Sequence, residues 1–281
     1  MKHVSKIYTA VIFAILYTPI LALILFSFNN TANTGKFTGF SLYWYKELFS
    51  SSTTFVALKN TLILAVASAI IATLIGTAAA MGIAKMKNKY LKTAIMSTTN
   101  IPMMNPDIVT GVSMMLLFVF VGTLVGTAEK LSFFTLLIAH VTFNIPYVIL
   151  SVLPKIRMMD KHLSEAALDL GCTPLQAFFK VELPAIMSGV ITGFIMAFTL
   201  SLDDFVISYF TSGSDFQTLP ILIYSMTKKE VKPDIYALST LMIVAILALL
   251  ILSNLHTERD AKIRKKSANS KKVKEIGGKA L

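Results

Sequence analysis

Charged residues and cysteine are both scarce in this chain. Only 15% of its 281 residues are charged, whereas 55% are hydrophobic and the mean hydropathy is +0.70. Soluble domains usually carry about 25% charged residues, so this composition excludes a water-soluble fold and predicts an integral membrane protein. The single cysteine, Cys172, excludes an intrachain disulfide.

Sequence signals for catalysis are also missing. No G-x-x-x-x-G-K-[ST] nucleotide-binding motif occurs, so any ATP hydrolysis must be supplied by a separate chain. Neither a nucleophile–base pair nor a metal-ligand cluster is apparent, which argues against an intramembrane enzyme and predicts no cofactor. The net charge of +11 could indicate nucleic acid binding, but in a membrane protein it more often reports orientation. We therefore expect membrane lipid, and no nucleic acid, among the partners.

Long apolar runs are abundant. A helix crosses the hydrocarbon core with about 20 mostly apolar residues, and six stretches qualify: Ile7–Phe28, Phe55–Ala84, Thr93–Gly122, Leu131–Leu153, Pro184–Phe210 and Ile235–Ser253. The first run is longer than the apolar part of a signal peptide and no typical cleavage site follows it, so we interpret it as an uncleaved span. The predicted fold is an all-α integral membrane protein with six transmembrane helices.

Lysine and arginine are unevenly distributed between the connections. Nineteen lie in the N-terminal segment, the second and fourth connections and the C-terminal tail, against six in the connections on the other side. Positive charges favour the cytoplasmic side, so both termini are predicted to be cytoplasmic in a multi-pass protein of the cell (inner) membrane. The basic tail, residues 254–281, has no apolar period, and we expect it to be disordered beside anionic lipid headgroups.

The connection between the fourth and fifth spans contains an amphipathic segment, SEAALDLGCTPLQAFFKVELP. Ser164 is suited to cap a first short helix, and Gly171 to end it in a left-handed conformation. Thr173 is suited to cap a second helix that has Pro174 at its first position. One face of that second helix would carry three apolar residues, Leu175, Phe178 and Phe179.

Pro184 would then begin the fifth span. From these residues alone, the segment is either an interfacial helix lying on the membrane or a docking surface for a soluble partner.

The spacing of this segment resembles the EAA loop of ABC importer permeases. Glu165-Ala166-Ala167 is followed after three residues by Gly171 and after nine more by Val181-x-Leu183-Pro184, with valine in place of isoleucine. In that family the loop forms coupling helices that fit a groove on a cytoplasmic ATPase subunit. The resemblance therefore implies an ATPase-coupling role for Glu165, Ala166, Ala167, Gly171, Leu175, Phe178, Leu183 and Pro184.

The same resemblance implies the architecture of a type I ABC importer permease. A first transmembrane helix and outer loop would occupy residues 1–54, a permease core with coupling loop 160–184 would occupy residues 55–253, and the tail would follow. The implied partners are a second related permease subunit, a cytoplasmic ATPase dimer and an extracytoplasmic substrate-binding protein. The binding protein is expected to contact outer loops that include Tyr43, Trp44 and Tyr45.

Carboxylates inside the predicted spans are candidates for a substrate path. On a continuous helix, Asp203 would lie about 28 Å beyond Pro184, near the outer end of the fifth span. Asp203 and Asp204 would point about 100° apart, so both need not face the path. Tyr209 follows with its aromatic neighbours, and ring faces attract ammonium groups. The alternative is a pair of hydrated carboxylates beside an interfacial aromatic belt.

Two further polar positions lie within spans. Asp107 follows Pro102 and Pro106, and it is either a second cation station or the cap of a helix that restarts after a proline break. His140 and Asn144 are four residues apart in the fourth span, a spacing that predicts buried hydrogen bonds to another helix.

Residues 201–240 and 105–118 resemble the second permease subunit of spermidine/putrescine importers. The resemblance implies a permease subunit that translocates polyamines by alternating access and is not itself an enzyme. One alternative keeps the ABC permease and changes the cargo to another cationic or metal-bearing solute. A second alternative is an ion-coupled secondary transporter, which would leave the EAA loop unexplained.

The predicted orientation can be tested in intact cells. A Ser267→Cys substitution in a Cys172→Ser background should resist a membrane-impermeant thiol reagent, because the tail is predicted to be cytoplasmic. Labelling after cell lysis is the control for reactivity. Ready labelling before lysis would reverse the whole predicted orientation.

Overall fold

The described part of the chain is nearly all helical. The structure is a computed structural model and describes residues 2–31, 36–126, 131–160, 162–214, 216–228, 234–248 and 251. The helices are α1 (Lys2–Phe26), α2 (Tyr43–Ser50), α3 (Ser52–Lys85), α4 (Lys89–Met104), α5 (Asp107–Val125), α6 (Phe133–Met158), α7 (His162–Asp169), α8 (Pro174–Ala177), α9 (Leu183–Asp203), α10 (Val206–Thr211), α11 (Leu219–Thr227) and α12 (Asp234–Ala248). One isolated antiparallel bridge joins Asn29 to Phe40.

Within the described residues, five helical stretches are long and apolar enough to cross a membrane, which confirms the predicted all-α membrane fold. They are Lys6–Phe26, Ser52–Lys85, Asp107–Leu124, Phe133–Met158 and Pro174–Asp203. The sixth predicted span begins with the shorter apolar helix α12, and its last residues lie outside the described residues. The count of six and the cytoplasmic termini stay predictions, and the predicted disordered tail lies outside the described residues.

The third predicted span, Thr93–Gly122, is interrupted at the proline break that the sequence suggested. It divides into α4 and α5, and Asn105 and Pro106 between them have extended backbone, with ψ angles of 139° and 136°. Proline has no N–H to donate to the helical ladder and disfavours helical geometry in the residue before it. Pro106 therefore ends one helix and allows Asp107 to start the next.

The fifth predicted span, Pro184–Phe210, is wrong at both ends. Its helix runs from Pro174 to Asp203 without a break, because a π turn over Phe178–Glu182 joins α8 to α9. In that turn the backbone N–H of Leu183 donates to the carbonyl of Phe178, which accommodates the missing donor of Pro184. The second predicted short helix is thus the first turn of the span.

The described residues form two compact units, which are considered separately. The first contains the chain up to residue 61 and residues 216–247. Its core contains Leu48, Ala57, Leu219, Leu222 and Leu238. Two hydrogen bonds tie the chain before α11 to α3: Asn60 Nδ2 donates to the Gln217 carbonyl at 3.1 Å, and the Leu219 N–H donates to Thr61 Oγ1 at 2.7 Å.

The second unit, formed from residues 62–214, is organised around α6. Its main core is built from α3, α6 and α9, with the buried residues Ala69, Ala72, Ala80, Met81, Ile83, Val141, Val148, Ile149, Val152, Leu153, Ile186 and Ala197. Three small residues spaced four apart along α9, Gly189, Gly193 and Ala197, are buried. A Cβ at Gly189 would lie 3.0 Å from the Ser151 carbonyl, so the backbones of α6 and α9 approach closely.

Gly76 of α3 lies similarly close to α6, and its substitution tests how tightly these two helices pack. A Cβ at Gly76 would lie 2.7 Å from both Cβ and Cγ1 of Val148, whereas a Cβ at Gly82 of the same helix would meet nothing within 4 Å. Gly76→Ala should therefore destabilise the detergent-solubilised protein by about 1–3 kcal/mol, the usual cost of overpacking.

Gly82→Ala is the matched control. It should leave the thermal midpoint unchanged or raise it, because alanine is the better helix former by about 1 kcal/mol. Equal thermal midpoints for the two variants would show that α3 and α6 do not approach as closely as described.

Candidate functional site

The predicted coupling segment begins with α7, and its cap differs from the prediction. The helix starts at His162, so Ser164 lies inside it and the predicted Ser164 cap is wrong. The backbone N–H of His162 donates instead to Asp160 Oδ1 at 3.0 Å. The Asp160 carboxylate thereby satisfies one of the free N–H groups in the first turn of α7. Glu165 is exposed and lies 3.1 Å from His162 Nδ1.

Gly171 ends this helix in the left-handed conformation, as predicted. Its φ is +84°. The Gly171 N–H donates to the Leu168 carbonyl at 2.9 Å, and the Cys172 N–H donates to the Ala167 carbonyl at 3.1 Å. These two bonds form a Schellman motif, in which glycine avoids the steric cost of a side chain at positive φ.

Thr173 caps the helix that follows, and this prediction is also confirmed. Thr173 Oγ1 accepts from the Gln176 N–H at 3.3 Å, and Gln176 Oε1 accepts from the Thr173 N–H at 3.1 Å. Pro174 occupies the first helical turn, where its missing N–H leaves no hydrogen bond unmade. The reciprocal bonds fix the angle at which the chain enters the long helix.

The apolar surface of the segment is not the one that helical spacing predicted. Leu170, Leu175 and Phe179 are 86%, 71% and 56% exposed. Phe178 is half-buried and packs against the core of the second unit, so it does not share that face. Of the other predicted coupling residues, Ala167 is buried, Leu183 packs against the same core, and three are exposed: Ala166, Gly171 and Pro184.

Sequence reasoning missed a charged residue in the same segment. Glu182 ends the π turn with its side chain 3% exposed, and Lys85 Nζ at the end of α3 donates to its two oxygens at 3.1 and 3.2 Å. The available signal was a carboxylate directly before an apolar run, because such a residue needs a partner when it is buried.

The two aspartates of the predicted substrate path have different environments. Asp204 lies in the break between α9 and α10, where Oδ2 accepts from the Ser208 N–H at 2.7 Å and Oδ1 from the Ile207 N–H at 3.3 Å. Its Oδ2 also lies 3.5 Å from His140 Nε2, and its side chain is 8% exposed. Asp203 ends α9 and is exposed. The ideal-helix angle between them does not apply, because the helix ends at Asp203.

A buried polar layer lies beside Asp204 and joins four helices. His140 Nε2 and Ser208 Oγ share a hydrogen bond of 3.1 Å. Asn144 Nδ2 donates to Ser201 Oγ at 2.7 Å, and Ser201 Oγ lies 2.9 Å from Ser68 Oγ. The predicted hydrogen bonds of His140 and Asn144 to another helix are thereby confirmed: they tie α6 to α10 and α9, and Ser201 in turn ties α9 to α3.

Asp107 and Tyr209 lie on two helices that touch each other. A Cβ at Gly111 of α5 would lie 3.0 Å from Phe210 and 3.5 Å from Ile207 Cα, both on α10. Asp107 is exposed in the first turn of α5, one turn before Gly111. Tyr209 is exposed, with ring centroids of Phe205 and Phe210 at 5.5 and 5.4 Å. A cation could therefore meet carboxylates and an aromatic ring on this part of the second unit.

Two of the three outer-loop aromatics, Trp44 and Tyr45, make hydrogen bonds within the chain, whereas Tyr43 is exposed. Trp44 Nε1 donates to the Asn29 carbonyl at 2.8 Å, and Tyr45 Oη lies 2.8 Å from Ser27 Oγ. Tyr43 is exposed, and its hydrogen bond to Glu47, together with the negative charge of Glu47, raises the pKa of its hydroxyl. Tyr43 and Glu47 line a shallow depression of about 450 Å³ on α2. Of the three aromatics, Tyr43 is the most exposed, whereas Trp44 and Tyr45 are half-buried.

The chain matches the family described as binding-protein-dependent transport system inner membrane components over residues 72–258. It is 38% identical to the putrescine transport system permease protein PotI of Escherichia coli (strain K12), over 83% of each chain. It is also 38% identical to the spermidine/putrescine transport system permease protein PotC of Haemophilus influenzae, over 89% of this chain and 95% of the relative.

Solved structures resemble the fold at lower identity. A bacterial ABC transporter involved in importing the acidic polysaccharide alginate has a chain that aligns with a TM-score of 0.72 at 16% identity, covering 92% of this chain and 94% of that one. An amino acid ABC transporter aligns with a TM-score of 0.52 at 22% identity, covering 78% and 96%. These similarities establish the ABC importer permease fold.

The two aspartates should differ in their effect on stability. Asp204→Ala leaves the N–H groups of Ile207 and Ser208 without their side-chain acceptor and removes the carboxylate beside His140, which should cost about 1.5–3 kcal/mol in the free energy of unfolding. Asp203→Ala, at the exposed neighbouring position, is the control and should change it by less than about 0.5 kcal/mol. Thermal unfolding of the purified protein measures both, and a larger loss in Asp203→Ala would contradict the described hydrogen bonds.

Proposed function

This chain belongs to the family of binding-protein-dependent transport system inner membrane components, and we propose that it is the permease subunit of an ATP-driven polyamine importer. The observation that carries the proposal is the pair of exposed carboxylates, Asp107 and Asp203, on a chain that is 36–38% identical to putrescine and spermidine/putrescine permeases over most of their length. A polyamine carries several ammonium groups, so it needs negative charge along its route.

The exposed carboxylates would lower the free energy of a polyamine that leaves bulk water. Charge attraction strengthens as the local dielectric constant falls, so Asp203 and Asp107 attract an ammonium group more strongly beside apolar helices than in water. Tyr209 would add a ring face to the same route. Asp204 would instead have a structural role, because its oxygens accept from N–H groups of α10 and contact His140.

The segment from α7 to the π turn would couple this chain to a motor. Leu170, Leu175 and Phe179 offer an exposed apolar surface, and Glu165 offers an exposed carboxylate beside it. A cytoplasmic ATPase dimer would bind this surface, and its closure on ATP would move the long helix that begins at Pro174. Alternating access to the substrate path would follow from that movement.

A second related permease subunit and an extracytoplasmic binding protein would complete the importer. One similar solved structure is an alginate ABC transporter in complex with a substrate-bound periplasmic protein, which supports an analogous partner here. On this chain the exposed Tyr43 and Glu47 on α2 are the candidate contacts for that binding protein. Purification through a tag on this chain, with mass spectrometry of the associated chains, would identify all three partners.

Gly171 tests the coupling role. Gly171→Val should abolish most of the substrate-stimulated ATPase activity of the reconstituted complex, because valine strongly disfavours the φ of +84° and the turn would move. Basal ATPase activity and assembly should be measured on the same samples.

Gly126→Val is the matched control. Gly126 has a φ of +75° and, like Gly171, would have nothing within 4 Å of an added Cβ, but it follows α5. The two variants therefore carry the same local strain at different sites. Normal stimulation and uptake in Gly171→Val would refute the coupling role of this turn.

Asp203 tests the cargo. Asp203→Asn should reduce uptake of radiolabelled spermidine or putrescine at least about tenfold per assembled complex, which corresponds to about 1.4 kcal/mol. Asp204→Asn keeps the shape of the cap and should chiefly lower the amount of assembled complex. Cells that depend on this importer for polyamines provide the assay.

Combining Asp203→Asn with Asp107→Asn should abolish the remaining uptake. Full uptake by this double variant would show that both aspartates are only hydrated surface charges. It would also remove the structural support for a polyamine cargo. Competition by excess unlabelled arginine or divalent metal would instead indicate another cationic or metal-bearing solute.

A further inference from the structure

The ion pair between Lys85 and Glu182 links the coupling segment to a second long helix. Glu182 closes the π turn between α8 and α9, and Lys85 is the last residue of α3. Lys85 Nζ contacts both carboxylate oxygens, at 3.1 and 3.2 Å. Among the residues that the structure describes, this is the only carboxylate paired with a lysine or arginine.

The two partners of the pair have very different exposure. The Glu182 side chain is 3% exposed, whereas that of Lys85 is 66% exposed. A buried carboxylate is strongly unfavourable unless it is paired, so Glu182 holds the end of α3 against the π turn.

The π turn is the joint at which the coupling segment becomes a membrane helix. Phe178 at its start packs against the core of the second unit, together with Ile83 and Ala84 near the end of α3. Pro184 lies two residues after the turn and has no N–H to complete the usual helical hydrogen bond. Such turns recur at functional sites, since the backbone there has an alternative hydrogen-bonding register.

We propose that the Lys85–Glu182 pair is a positioning pair that transmits movement of the coupling segment to α3. This inference rests on the proposed importer function and extends it. Movement of α8 carries the π turn with it, because the helix is continuous from Pro174. The ion pair then moves α3 together with α9, so two long helices respond when the ATPase moves the coupling segment.

The test uses the whole importer, purified through a tag on this chain and reconstituted with its associated chains. The main variant is Lys85→Met combined with Glu182→Gln, which removes both charges and leaves no unpaired buried carboxylate. Lys85→Arg retains the charge and is the conservative variant. Lys87→Met removes one lysine from the exposed chain just beyond α3 and is the matched control.

Two quantities are measured. The first is the stimulation ratio, which is the ATPase activity with spermidine-loaded binding protein divided by the basal activity. The second is the uptake of labelled spermidine per ATP hydrolysed. The double variant should lose at least tenfold in uptake per ATP and most of the stimulation. Lys85→Arg and Lys87→Met should stay within twofold of the parent. A merely structural role would lower the yield of assembled complex without changing these ratios.

Two results would overturn the inference. One is a stimulation ratio and an uptake per ATP within twofold of the parent in the assembled double variant. The other is a failure of the double variant to assemble while the assembled Glu182→Gln single variant retains the parent ratios. Failure of the proposed function is distinguishable, because then the parent complex itself would show no polyamine-dependent stimulation or uptake.

Discussion

The close approach of α6 to α3 and α9 is the constraint on which the second unit depends. Glycine at Gly76, Gly189 and Gly193 lets the backbones approach to distances that an added Cβ would not permit. Membrane helices lack a hydrophobic driving force between them, so such contact and interhelical hydrogen bonds supply the association. The polar layer of Asn144, Ser201 and their neighbours forms only because the helices are this close.

Two helix breaks then set the environments of the three aspartates of the proposed substrate path. Pro106 separates α4 from α5 and leaves Asp107 exposed at a helix start, and Asp204 ends α9 by accepting the free N–H groups of α10. Backbone breaks within membrane segments are tolerated where the freed groups find other partners. The same break that buries Asp204 leaves Asp203 exposed, so one carboxylate shapes the site and the other can meet a cation.

The local features of the coupling segment were predictable, and its packing was not. The left-handed turn at Gly171 and the Thr173 cap depend on residues within a few positions, so their sequence signals were sufficient. The Ser164 cap was wrong because the helix already begins at His162, whose N–H donates to Asp160. Phe178 matched an exposed helical face in the sequence, but the π turn and the nearby core half-bury it.

The sequence by itself determined an all-helical membrane protein and the breaks at Pro106 and Gly171, because hydropathy, proline and glycine act locally along the chain. The tertiary structure alone decided which aspartate is buried and which is exposed, since this depends on His140 and α10. It also decided the partner of Glu182, a lysine 97 residues away. No local pattern contains that pairing, because the burial that makes it necessary arises only when α3, α6 and α9 pack together.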